Sequence, residues 1–153
     1  MREFDAKDRQ IIRTLQKNGR LTNLELSERV NLSTSPCLRR VRRLEEAGVI
    51  TGYSADVSAR ACGLNVTAVI RITLERHERG AVQEFEERVR ATDEILDCHL
   101  LTGEADYLLR VVVADLDAYE DFVRSRLHSI RGISSITTSL IYGVVKESRA
   151  LPL

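Results

Sequence analysis

The chain has 153 residues, enough for one domain or two small ones, and its 43% hydrophobic and 30% charged residues are ordinary for a globular protein. No apolar run approaches the roughly 18 residues of a membrane span, and the N-terminus lacks the apolar stretch of a secretion signal, so we expect a cytoplasmic protein with no membrane partner. The net charge is zero, but the charges are unevenly distributed. Residues 1–60 contain 12 Lys and Arg and 8 Asp and Glu, whereas residues 61–153 contain 11 Lys and Arg and 15 Asp and Glu. This distribution favours a polyanionic partner for the first part alone.

The first predicted helix begins after Asp5, whose carboxylate can cap it, and ends at Asn18 and Gly19. Its apolar side chains share one stripe: Phe4, Ile11, Ile12 and Leu15. The second helix starts near Thr22, because Glu25 three residues later completes a capping box. It runs to about Val30, and residues 31–33 supply a turn.

A third helix follows the turn, with Ser33 or Ser35 as its cap, Pro36 in its first turn and Gly48 at its end. One side of this helix is apolar: Cys37, Leu38, Val41 and Leu44. The opposite side carries Ser35, Arg39, Arg42 and Arg43, with Arg40 beside them. Two short helices, a tight turn and an arginine stripe together predict a helix-turn-helix.

Arginine at such a site neutralises phosphate or binds guanine O6 and N7 with two hydrogen bonds, while short side chains let the helix N-terminus approach the DNA backbone. The predicted partner is therefore double-stranded DNA. An ordinary solvated helix face is the alternative. The predicted DNA-binding residues are Ser33, Thr34, Ser35, Pro36, Arg39, Arg40, Arg42 and Arg43.

The remainder of the chain alternates strands and helices. Residues 50–57 are β-prone, and a short link follows them. Strands are then predicted over 66–74, 95–101, 107–113 and 136–145, and helices over 81–91 and 116–129. This β-α-β-β-α-β order is ferredoxin-like, with both helices on one face of the sheet.

The fold class is thus α+β, in three predicted parts. Residues 1–49 form a tri-helical helix-turn-helix domain, 50–64 a hinge strand and linker, and 65–153 a ferredoxin-like oligomerisation domain. A helix-turn-helix domain of about 50 residues buries little apolar surface, so we expect contacts with another domain or chain to stabilise it. Apolar residues occur on both faces of the strands, as in LLRVVV from 108 to 113, so we expect the open sheet face to pack against a second subunit.

The three cysteines and three histidines are scattered, without the spacing of a metal site, and the cysteines are odd in number. We therefore expect no metal and no cofactor.

Four segments resemble the Lrp/AsnC family, the leucine-responsive and asparagine-responsive "feast/famine" transcription regulators. They are ELSERVNLSTSPCLRRVRRLEEAGVITGY from 25 to 53, CHLLTGEADYLLRV from 98 to 111, DLDAY from 115 to 119 and VVKESRALPL from 144 to 153. The resemblance implies a regulator of amino-acid metabolism genes that forms dimers through its sheets, with dimers assembling to octamers. It also implies an amino-acid effector, leucine-like, bound between dimers.

In this family the effector site lies near the turn between the central strands, which here is Gly103-Glu104-Ala105-Asp106. Without the resemblance, this sequence predicts only a hairpin turn. The resemblance implies these effector-binding residues: Leu101, Thr102, Gly103, Glu104, Ala105, Asp106, Leu116, Ser139, Leu140 and Ile141. The apolar members are equally typical of a core or an interface. Ala105 stands where many relatives have an aromatic residue, which predicts a roomier or less polar pocket.

Three other functions compete with this one. A small enzyme such as an acylphosphatase shares the ferredoxin-like order, but the chain has no phosphate-binding glycine loop, nucleophile elbow or His-Glu metal motif, so we expect no enzymatic activity. An architectural DNA-binding protein would lack an effector. An amino-acid-sensing subunit of an enzyme would leave the arginine stripe unexplained.

Overall fold

The computed structural model describes residues 4–76 and 78–153. Its chain divides into two compact units. The head comprises the residues up to Asp56 together with Lys146–Leu153, and the body comprises Val57–Val145. Within the described residues, no helix is both long and apolar enough to cross a membrane.

Three helices form the head: α1 (Ala6–Lys17), α2 (Asn23–Arg29) and α3 (Thr34–Glu46). The expected caps at Asp5 and Thr22 are both present as full capping boxes, closed by Asp8 and Glu25. Each pair satisfies amides that the first turn of its helix leaves without partners. The head core is made by one stripe from each helix: Ile11, Ile12, Leu26, Val30, Cys37, Val41 and Leu44.

Helix α3 is terminated by Gly48, the second residue after its last residue Glu46, and the sequence predicts this stop. Gly48 has a φ of +67°. Its N–H donates to the Glu45 carbonyl and the Val49 N–H donates to the Leu44 carbonyl, both at 2.9 Å. This pair of bonds is a Schellman motif, which requires a left-handed residue and therefore favours glycine.

The body is a four-stranded antiparallel sheet with helices. Its strands are β1 (Val66–Leu74), β2 (Ile95–Leu100), β3 (Tyr107–Val113) and β4 (Ile133–Leu140), in the spatial order β2-β3-β1-β4. Its helices are α4 (Arg79–Arg90) and α5 (Leu116–Phe122). This order confirms the ferredoxin-like fold.

One face of the sheet holds the body core. Alternate residues of β1 and β3 pack there with both helices: Ala68, Ile70, Ile72, Leu74, Tyr107, Leu109, Val111, Val113, Phe85, Val89 and Phe122. On the other face, apolar Val69 and Leu108 alternate with Arg71 and Arg110, and Arg110 pairs with Asp97 of β2 at 2.5 Å. The open face is therefore mixed in polarity, with charges spaced between half-buried apolar residues.

Three elements differ from the prediction. Residues 50–57, predicted as a hinge strand, form no strand in the single chain, although β2 and β4 are edge strands of the described sheet. Helix α5 stops at Phe122 and continues as a π-helical turn, Val123–Leu127. Strand β4 begins at Ile133 and ends at Leu140, earlier than the predicted 136–145, because its register follows β1.

Replacing Gly48 with alanine should destabilise the head by about 1–2 kcal/mol, since an L-residue is strained at positive φ. Gly80 in the first turn of α4 is the matched control, because an added Cβ meets no atom within 4 Å at either position. Alanine at position 80 should raise the free energy of unfolding of the body by about 0.5 kcal/mol through its higher helix propensity. Urea unfolding followed by circular dichroism measures both changes; equal effects at the two glycines would contradict the assignment.

Candidate nucleic-acid interface and effector site

The exposed face of α3 presents Arg39 and Arg42 to solvent, with Thr34 and Ser35 exposed in the first turn. Residues 39 and 42 are three apart and lie on one side of the helix, away from the buried Cys37 and Val41. In the described part of the chain, neither of these two guanidinium groups forms an ion pair. Both are therefore available to a ligand outside the protein.

The neighbouring pair of arginines points the other way. Arg40 Nη1 lies 2.6 Å from Asp5 Oδ2 and 2.9 Å from Asp8 Oδ1, and Arg43 Nη2 lies 2.5 Å from Asp8 Oδ2. Asp8 is 1% exposed, and both of its carboxylate oxygens pair with arginines of a different helix. These bonds join α3 to α1.

Asp5 serves this junction as well as capping its helix. The Asp8 backbone amide, and then the Arg40 guanidinium, hold the pKa of the Asp5 carboxyl below its usual value. Asp8 was not identified from the sequence. The available signal was its position on the apolar stripe, one turn before Ile11 and Ile12, where an acid needs a buried partner.

The N-terminus of α3 is set by Ser33, which occupies the cap position without a side-chain capping bond. Pro36 is half-buried in the first turn, and the Thr34 hydroxyl lies 3.5 Å from that of the buried Ser27. The first-turn amides of the helix carry a partial positive charge, which favours an anion such as phosphate.

In the body, the turn between β2 and β3 is closed by Asp106. Its backbone N–H donates to the Ile72 carbonyl at 2.9 Å, and its carbonyl accepts from Leu101 N–H at 2.8 Å. Its carboxylate Oδ2 accepts from Leu74 N–H at 2.8 Å. Asp106 thus ties the turn to the end of β1, a structural role that the sequence did not reveal.

Gly103 in the same turn has a φ of +126° and open space around the position of a Cβ. The glycine is therefore needed for the backbone angle, and close approach of another chain segment plays no part. Thr102 and Glu104 are exposed, while Leu101 and Ala105 are half-buried.

The remaining predicted effector residues lie at the opposite end of the sheet. Ile141 N–H donates to the Thr67 carbonyl at 2.9 Å, and Leu140 is in register with Ala68. Leu116 follows the end of β3 and is exposed, as are Ser139, Leu140 and Ile141. Thr67 and Leu74 are seven residues apart along β1, which separates the two groups by about 20 Å. One copy of the body does not bring the predicted residues together.

Comparison with known proteins identifies both units. The profile of a winged helix-turn-helix DNA-binding domain matches residues 4–51, and that of the Lrp/AsnC ligand binding domain matches residues 67–151. The chain belongs to the Lrp/AsnC family. The leucine-responsive regulatory proteins of Escherichia coli K12 and Klebsiella pneumoniae are each 39% identical to it over 150 residues, 98% of this chain and 92% of theirs.

Solved structures agree with this assignment. A Neisseria meningitidis transcriptional regulator in complex with L-methionine is 42% identical, with a TM-score of 0.94 and coverage of 98% of this chain and 97% of its own. An AsnC family transcriptional regulator from Agrobacterium tumefaciens is 33% identical, with a TM-score of 0.92 and coverage of 97% of both chains. This Lrp/AsnC protein is a DNA-binding transcription regulator.

The relatives are transcription regulators, which confirms that the chain is not an enzyme. Burial raises the pKa of the Cys37 and Cys98 thiols, with Glu86 adding to the effect at Cys98, so neither is activated as a nucleophile. Within residues 4–76 and 78–153, no three His, Cys, Asp or Glu side chains are grouped to hold a metal.

Replacing Asp8 with alanine should destabilise the head by about 2–3 kcal/mol, near the lower limit for a broken buried ion pair because Arg40 and Arg43 still reach water. Replacing Asp5, whose side chain is half exposed, should lower the free energy of unfolding by less, as the loss of a helix cap. Denaturant unfolding compares the two variants. A smaller loss for Asp8→Ala than for Asp5→Ala would show that the buried junction does not stabilise the head.

Proposed function

We propose that this regulator places α3 in the major groove of double-stranded DNA, with Arg39 and Arg42 as its principal contacts. The support is the division of the four arginines: two are held by Asp8, and two project from the exposed face. Arginines 39 and 42 reach phosphate or guanine, while arginines 40 and 43 fix the helix that carries them. The first turn, Ser33–Pro36, contacts the DNA backbone through its amides and short side chains.

Sequence-specific recognition by a single head of this size covers few base pairs. A dimer presents two copies of α3, which match the two half-sites of a pseudo-palindrome one helical turn apart. We propose that dimers form through the open sheet faces, where half-buried Val69 and Leu108 flank the Arg110–Asp97 pair, and that dimers assemble further to octamers. Such an assembly lets neighbouring DNA wrap or loop.

The proposed effector is an amino acid with an apolar side chain, leucine-like. Relatives named for their leucine response and a similar regulator in complex with L-methionine support this class. Asp106, whose carboxylate also accepts from Leu74 N–H, supplies a negative charge for the ligand's ammonium group. Exposed Leu116, Leu140 and Ile141 supply apolar surface for the side chain.

Asp106 and the apolar residues Leu116, Leu140 and Ile141 lie at opposite ends of the sheet, about 20 Å apart by the rise of β1. This distance decides where the site must lie. A free amino acid cannot span that distance, so a site that uses both groups draws them from two copies of the body. Effector binding between copies then shifts the population of assembly states, and with it the spacing of the heads on the genes of amino-acid metabolism. We propose that the regulator acts on chromosomal DNA in the cytoplasm.

Replacing Arg39 or Arg42 with alanine should weaken operator binding by about 1–3 kcal/mol where the side chain contacts a base, and should reduce the salt slope by about one where it contacts phosphate. Exposed Arg131 of the body is the control, and its alanine variant should bind normally. Fluorescence anisotropy over a range of salt concentrations makes the measurement. An unchanged affinity and slope in the Arg39→Ala, Arg42→Ala double variant would remove this face of α3 from the interface.

Replacing Asp106 with asparagine should abolish the thermal shift caused by the effector, while the amide oxygen still accepts from Leu74 N–H and preserves the turn. A ligand at 100 times its Kd stabilises the native state by about 2.7 kcal/mol, which is readily measured. The twenty amino acids are screened against the parent chain first. Glu87→Gln, at an exposed position of α4 outside the predicted effector residues, should respond like the parent. A full response in Asp106→Asn would exclude the carboxylate from the site, and a parent that responds to no amino acid would favour an architectural role.

A further inference from the structure

One flank of α1 opens onto a groove of about 760 Å³ within the head. Its walls are largely apolar side chains at the margin of the head core: Phe4, Ile12, Leu15, Val49, Ile50 and Tyr53. Most of these are only partly buried by the three helices. The other wall is Leu151, Pro152 and Leu153, from the far end of the sequence.

The hydrogen bonds between this tail, residues 146–153, and α1 are specific. Gln16 Oε1 accepts from Leu151 N–H at 2.6 Å, and Gln16 Nε2 donates to the Leu151 carbonyl at 3.3 Å. One side-chain amide thus binds both backbone groups of one tail residue. Arg13, one turn earlier on the same face of α1, donates from Nε to the Leu153 carbonyl. The contacts lie at 13 and 16, the i, i+3 spacing that puts side chains side by side on a helix.

The conformation of the tail is encoded by its own sequence. Leu153 N–H donates to the Leu151 carbonyl at 3.0 Å, which closes a γ-turn centred on Pro152. Proline is suited to that position, because its fixed φ of about −65° is close to that of an inverse γ-turn and no N–H is needed there. The turn is what aims the Leu151 and Leu153 carbonyls at Gln16 and Arg13.

Exposure along the tail supports docking at this end. Val145, just before the tail, is 104% exposed, whereas Leu151 is 65% and Leu153 is 42% exposed. Arg149 adds an ion pair with Asp56 at 2.9 Å, although both side chains are well exposed and the pair contributes little.

We propose that the α1 flank is a binding surface for the RALPL segment, residues 149–153, of its own chain, and that docking of this segment completes the folded head. The physical need is size, because a helical unit of about 50 residues buries too little apolar surface to be robust alone. Gln16 and Arg13 bind the segment through hydrogen bonds to its backbone, and the groove binds it through contacts with its leucine side chains.

A tryptophan reporter tests docking, because the chain contains no tryptophan. In Leu153→Trp, docking beside the groove should shift the emission to shorter wavelength than that of the free peptide RALPW. Adding Gln16→Ala or Pro152→Gly should return the emission to the free-peptide value. Lys17→Ala, exposed and next to Gln16 on α1, should leave it shifted. The same emission in all four chains would overturn the proposal.

Hydrogen exchange tests the effect on the head without the reporter. In Gln16→Ala, and in a chain shortened after Ser148, amides of α1 and α3 should exchange about tenfold faster than in the parent, because two or three hydrogen bonds and the leucine contacts are lost. Lys17→Ala and the amides of the body strands should match the parent. Equal α1 protection in the parent and both tail-release variants would overturn the proposal. Neither experiment uses DNA or effector, so their outcome is independent of the proposed regulatory function.

Discussion

A buried carboxylate held by two arginines is the interaction on which the head depends. Removing an acid from water costs several kcal/mol unless its oxygens are fully paired, and Asp8 meets this requirement only when α3 lies in one position against α1. Apolar packing in the head core, which includes Ile11 and Val41, tolerates small shifts of a helix, whereas two guanidinium bonds do not. The pairing therefore supplies the positional precision that a small apolar core lacks.

The body applies a comparable constraint at one end of its sheet. Asp106 holds the β2–β3 turn to β1 with its amide, its carbonyl and its carboxylate. The register of β1 then fixes how far this turn lies from Leu140 and Ile141 at the other end. Residues implied in effector binding are thus kept apart within one copy, so detection of a ligand that touches both groups is necessarily a property of an assembly. Under the proposed effector site, sensing the ligand and association of two copies would be the same event.

Local signals in the sequence were sufficient for most of the fold. The caps at Asp5 and Thr22, the stop at Gly48 and the strands β1 and β3 depend on neighbours a few residues away, which a sequence displays directly. The predictions failed where a distant partner decides the outcome. Residues 50–57 form no strand in the single chain, and the stripe of α3 did not show that Asp8, thirty-two residues earlier, holds Arg40. Periodicity assigns a face to a residue and does not assign a partner.

The split of the α3 arginines also has an evolutionary consequence. Substitutions at 40 or 43 expose a buried acid and threaten the fold, so a lineage can explore them only alongside position 8. By contrast, substitutions at 39 and 42 leave the pairing of Asp8 intact. If the proposed DNA contacts are these two solvent-facing side chains, duplicated copies of the gene can acquire new operators by changing them, while the scaffold that presents them stays the same.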